Sequence, residues 1–74
     1  MKKTIYSKDH KYLVEQLKKA RKEAGFDQKK VGKMLDKSQS YISKIESGQR
    51  RIDIVQLKEL AEIYRKDLGF FIKQ

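Results

Sequence analysis

The sequence predicts an all-helical domain of five short helices. Three observations carry that expectation. There is no proline and there are only four glycines in 74 residues, which favours helices joined by short turns. Apolar residues recur at steps of three and four, the spacing that lines one face of a helix. Small polar residues stand immediately before these periodic stretches, where their side chains accept from the free amides of a helix start. A chain of this length forms one domain; residues 1–7 read as a basic tail and residues 8–74 as the folded unit.

The first helix spans Asp9 to Ala24, with Leu13, Leu17, Ala20 and Ala24 on one face. Lys18, Lys19, Arg21, Lys22 and Glu23 fill most of its remaining surface, Ser7 or Asp9 caps it, and Gly25 ends it. In the second helix Asp27 is the cap, Gln28 opens the element, and Val31, Met34 and Leu35 form the apolar face. Gly32 sits inside it, at a cost of about 1 kcal/mol relative to alanine, which a closely crossing helix would explain. After Asp36-Lys37, Ser38 caps a third helix from Gln39 to about Ser47 that buries Ile42 and Ile45 and stops at Gly48. Two helices of roughly eight residues joined by a turn of about three form the pattern of a helix-turn-helix. The loop Gln49-Arg50-Arg51-Ile52 leads to a fourth helix, with Asp53 and Gln56 spaced as a capping box and a stripe of Ile54, Leu57, Leu60, Ala61 and Tyr64. Asp67 caps a short fifth helix, Leu68 to Ile72, carrying Phe70, Phe71 and Ile72.

Charge narrows the function classes. Nineteen Lys and Arg against ten Asp and Glu give a net charge of +9 and a pI near 9.9. Such a surface attracts a polyanion: nucleic acid first, an anionic membrane surface second, with a merely solvated charged surface as the plain alternative. No apolar run approaches the ~20 residues that span a bilayer, and the start, Met1 to Ser7, lacks the apolar stretch of a signal peptide. The absence of cysteine excludes disulfides and thiolate metal sites and fits a reducing, cytoplasmic setting. The single histidine, His10, excludes a multi-histidine metal site and reads as a surface residue. There is no cysteine nucleophile and no glycine-rich phosphate loop, and Glu15, Glu23, Glu46, Glu59 and Glu62 all fall within helices. No enzyme activity, cofactor or metal is therefore expected.

Residues 17–72 resemble the phage repressor and Cro family of helix-turn-helix proteins, also called Xre-like. The strongest likeness is the run Ser38-Gln39-Ser40-Tyr41-Ile42-Ser43-Lys44-Ile45-Glu46-Ser47-Gly48, followed by Arg50-Arg51. Asp27-Gln28 resembles the family's Thr-Gln at the start of the first motif helix, and Arg21, four residues before Gly25, its arginine on helix 1. The chain departs from the pattern at Asp36, where the family often has glycine, at Ile52, where it often has proline, and at Ser40, where a longer base-reading side chain is common. The resemblance implies a compact five-helix bundle of the lambda-repressor-like type, with helices 2 and 3 as the helix-turn-helix. It further implies a double-stranded DNA-binding transcriptional regulator, a repressor acting on a palindromic operator.

Roles follow from that resemblance and from groove geometry. The start of helix 3 would point at base edges in the major groove. Gln39 would pair with adenine, Ser40 would donate or accept, and Ser43 and Lys44 follow one turn on, Lys44 meeting guanine or a phosphate. Gln28, Gln49, Arg50 and Arg51 would hold phosphates. Tyr41 either joins them through its hydroxyl or packs its ring against helix 2. The resemblance also implies an ion pair between Arg21 and Glu46 that ties helix 3 to helix 1. A homodimer is expected on DNA, joined through the last helix and Phe70 or Phe71. Two other classes stay open: an antitoxin-like protein binding a partner toxin and its own promoter, and a basic RNA-binding protein.

Overall fold

The computed structural model describes residues 7–73. Four α-helices follow in chain order, α1 (Lys8–Glu23), α2 (Gln28–Met34), α3 (Gln39–Glu46) and α4 (Ile54–Tyr64), and a 3₁₀ segment follows at Leu68–Phe71. There is no strand among the described residues. The expected tail lies outside the described residues except for Ser7, which caps α1.

Each α-helix starts where a side chain satisfies one of its free amides. Ser7 Oγ accepts from His10 N at 3.1 Å and Asp27 Oδ1 from Lys30 N at 2.8 Å. Ser38 Oγ accepts from Tyr41 N at 3.1 Å and Asp53 Oδ1 from Gln56 N at 2.8 Å. The helix ends need left-handed backbone. Gly25 (φ 80°) and Gly48 (φ 83°) adopt it freely, whereas Asp36 and Arg65, both at φ 59°, adopt it with a side chain attached.

Aspartate tolerates that conformation better than arginine, because its short polar side chain bonds locally. Arg65→Gly is therefore expected to stabilise the domain by about 1 kcal/mol, and Asp36→Gly by less. Thermal unfolding followed by circular dichroism checks this, with a rise of about 4–8 °C for Arg65→Gly. An unchanged or lower midpoint would show that Arg65 is held there without strain.

The core forms where the four helices converge. Leu17 and Ala20 of α1 meet Val31 of α2 and Ile42 and Ile45 of α3. Leu57, Leu60, Ala61 and Tyr64 of α4 close one side, and Phe71 fills the remaining end at 1% exposure. Burial holds the Tyr64 hydroxyl above the usual phenol range, and the nearby Glu46 carboxylate adds to the effect. Gln16 Nε2 donates to Phe70 O at 3.1 Å and fixes the 3₁₀ segment to α1.

Four expectations need correction. The fifth element is not an α-helix but four residues of 3₁₀ structure, and Asp67 makes no side-chain cap to it. Its Phe70 N→Asp67 O bond spans only three residues, Gly69 favours helix poorly, and Phe71 must turn inward. Met34 and Ile54 lie at helical spacing with core residues, yet they are 45% and 61% exposed, because no described residue covers them at the end of α2 and the first turn of α4. Gly32 is approached by the turn that follows its own helix, not by a crossing helix. A Cβ there would lie 2.9 Å from Lys37 O and 3.0 Å from Ser38 C and O. His10 is half-buried rather than on the surface, and its Nε2 is enclosed without a hydrogen-bond partner among the described residues. It lines two clefts, one shared with Ser47 and Gly48 and one with Leu57 and Phe71.

Candidate nucleic-acid interface

The third helix has two faces with different work. Ile42, Ile45 and Glu46 are buried, whereas Gln39, Ser40, Ser43 and Lys44 are all exposed. At about 100° per residue the four exposed positions form one continuous face opposite the buried ones. The structure thus brings together the four residues expected to read bases, and no protein group among the described residues covers them.

What orients that face is a polar junction beneath it. Arg21 Nε donates to Glu46 Oε2 at 2.7 Å and Arg21 Nη2 to Glu46 Oε1 at 3.0 Å, a two-point contact that fixes angle as well as distance. Arg21 Nη1 donates to Phe26 O at 2.9 Å. Both side chains are nearly sealed from water, with 9% of Arg21 and 3% of Glu46 exposed. Hydrogen bonding to Glu46 raises the already high pKa of Arg21, and burial opposes it only in part. One guanidinium therefore ties α1 to α3 through Glu46 and to the backbone leading into α2 through Phe26 O.

Gln28 joins this junction. Its Nε2 donates to Glu46 Oε1 at 3.0 Å, so the amide expected to face a phosphate is partly engaged inside the protein. One amide hydrogen and the carbonyl oxygen have no hydrogen-bond partner among the described residues. Beside Gln28 and Ser43 an open cleft is lined by Lys18 and Lys22, cations that the sequence alone did not single out. Their signal was the spacing of four, which stacks them on one face of α1 around Arg21.

On the opposite flank of α3 sits Tyr41. Its ring is half-buried against the core, and two cations lie over it: Lys37 Nζ at 5.1 Å and Arg50 Cζ at 4.6 Å from the centroid. Lys37 is a third cation that sequence reasoning passed over, since it lies in the turn before α3. The loop after α3 folds back on the helix: Gln49 N and Arg50 N both donate to Lys44 O, at 3.0 and 3.1 Å. That fold leaves Gln49, Arg50 and Arg51 exposed beside the exposed face of α3. Among the described residues no group of three or more His, Cys, Asp or Glu could hold a metal ion, and no helix is long and apolar enough to cross a membrane.

Comparison with known proteins agrees with this architecture. Residues 17–71 match the family described as helix-turn-helix. Two curated relatives, both named HTH-type transcriptional regulator RamB and both from Mycobacterium tuberculosis (strains CDC 1551 / Oshkosh and ATCC 25618 / H37Rv), are 32% identical over 63 residues. That stretch is 85% of this chain but only 13% of each relative. No solved structure matches the chain.

Proposed function

Because the chain belongs to the repressor/Cro-type (Xre-like) helix-turn-helix family, we propose that it is a sequence-specific double-stranded DNA-binding transcriptional regulator, a repressor that acts on a palindromic operator. One observation carries this reading: α3 turns Gln39, Ser40, Ser43 and Lys44 to solvent while Arg21 and Glu46 clamp its other side. A major groove about 12 Å wide admits one such helix. Gln39 reads adenine, Lys44 reads guanine or holds a phosphate, and Ser40 and Ser43 complete the face. Gln28, Tyr41, Gln49, Arg50 and Arg51 position the helix along the backbone rather than specify sequence.

A single helix reads only about four or five base pairs, so the working unit is a two-fold dimer with half-sites about 34 Å apart. Phe71 is spent inside the protomer's own core and cannot join the dimer contact. At that end Phe70 is half-buried and Ile72 exposed. Sedimentation of the complex on a palindromic duplex tests the dimer, and saturation at one chain per duplex would remove it.

Selection of bound sequences from a random duplex pool tests the reading as a whole. Within it, Gln39→Ala is expected to lose about 1–3 kcal/mol of discrimination at one base position with its salt dependence nearly kept. Arg51→Ala is expected to weaken all sequences alike and to reduce the salt slope by about one. An unchanged sequence ranking for Gln39→Ala would refute its assignment as a reader.

A further inference from the structure

We propose that Lys37, Tyr41 and Arg50 form one phosphate cradle for the DNA strand bordering the reading face, with Tyr41 acting through its ring as the positioning residue. This deepens the duplex-DNA reading and rests on it. The starting observation is an arrangement that is unfavourable in the free protein. Two cations from different segments, the turn before α3 and the loop after it, converge on one aromatic ring. Both lie near the same centroid, so their separation is no more than about one Debye length at 0.1 M salt, roughly 10 Å. Neither takes part in an ion pair among the described residues, and both side chains are exposed. Like charges held together without a counter-charge make a place for an anion.

The backbone holds this arrangement in place. Lys37 N donates to Gly32 O at 2.7 Å, and Arg50 N donates to Lys44 O at 3.1 Å. Tyr41 N is tied to the Ser38 cap, and its ring rests on the core. The negative face of the ring then draws in the ends of two otherwise flexible side chains. A guanidinium attracted by its face keeps its N–H donors directed outward in its own plane, where a phosphate oxygen pair can accept them. The ammonium of Lys37 adds a second point of charge beside it. Tyr41 lies at the edge of the exposed face of α3, so a strand flanking the groove passes over these cations. Ordering them beforehand removes side-chain entropy that binding would otherwise have to overcome.

The reading has a sharp chemical signature, because it assigns the ring and not the hydroxyl. Fluorescence anisotropy with a labelled random-sequence duplex at fixed salt measures it. Tyr41→Phe keeps the ring and is expected to bind within about twofold of the parent, whereas Tyr41→Leu loses about tenfold per bound chain. Lys37→Met is expected to weaken the parent about fivefold and the Tyr41→Leu protein less than about twofold, since without the ring the lysine is no longer held in place. Circular dichroism melts confirm that each variant is folded at the assay temperature; Lys37 is exposed, so its arm stands whatever Tyr41→Leu does to the fold. Phe falling together with Leu would assign the hydroxyl instead and overturn the cradle. Leu binding like the parent, or equal Lys37→Met losses in both backgrounds, would overturn it as well. A parent chain that ignores duplex DNA would remove the DNA reading itself, a result distinct from a parent that binds while Tyr41→Leu binds equally well.

Discussion

Glu46→Ala is expected to destabilise the domain by about 3–5 kcal/mol and to abolish DNA binding, although Glu46 faces no DNA. The carboxylate accepts from Arg21 twice and from Gln28 once, at 2.7 to 3.0 Å, and only 3% of the residue is exposed. Removing it strands a buried guanidinium that keeps its bond to Phe26 O and loses its counter-charge. A small domain has about 5 kcal/mol of total stability, so the loss approaches unfolding. Thermal unfolding by circular dichroism decides: a Glu46→Ala protein melting within a few degrees of the parent would reduce the pair to a surface contact. The double variant Arg21→Met/Glu46→Leu is expected to melt well above Glu46→Ala, because an apolar pair leaves no unpaired charge.

Gly32→Ala is the second large effect, and its sign runs against intuition. Inside a helix alanine is favoured over glycine by about 1 kcal/mol. Here the added Cβ would meet backbone, Lys37 O at 2.9 Å and Ser38 C and O at 3.0 Å, and backbone cannot rotate away as a side-chain end can. The turn must shift, which stretches the 2.7 Å bond from Lys37 N to Gly32 O and displaces the Ser38 cap of α3. A net loss of about 2 kcal/mol is expected, the overpacking penalty outweighing the propensity gain. Urea unfolding measures it against Gly69→Ala, where a Cβ meets nothing within 4 Å and little change is expected. A Gly32→Ala protein as stable as the parent would show that the turn yields freely.

What was legible in the sequence is what short-range chemistry decides. Asp27, Ser38 and Asp53 each accept from an amide three residues on, so a single local pattern both predicts and explains the helix starts. The left-handed ends at Gly25 and Gly48 are equally local. Periodicity was less informative, since it marks a face without saying whether anything lies opposite. Val31 and Leu57 are buried, whereas Met34 and Ile54 on the same stripes stay largely exposed. The candidate interface shows the same limit. That Gln39, Ser40, Ser43 and Lys44 share a face follows from their spacing in one helix. That Glu46 takes an amide hydrogen of Gln28 depends on how α2 packs on α3, and the convergence of Lys37 and Arg50 on Tyr41 needs both ends of α3 folded. No pattern of neighbouring letters encodes either. Asp67 has the type and place of a cap, but Gly69 and the inward turn of Phe71 favour 3₁₀ structure after it.

The two faces of α3 share no residue, and heredity can act on them separately. Ile42, Ile45 and Glu46 answer to the fold; Gln39, Ser40, Ser43 and Lys44 are exposed and do not. Exposed substitutions away from caps and networks are usually close to neutral for stability. A duplicated copy can therefore drift at those four codons without losing its scaffold, while a change at an anchor is purged as an unfolded chain before its new preference is ever tested. On the proposed DNA reading, divergence between sister copies is cheap where it alters the exposed face and costly where it alters the anchors, so lineages carrying this fold would change their targets faster than their cores evolve.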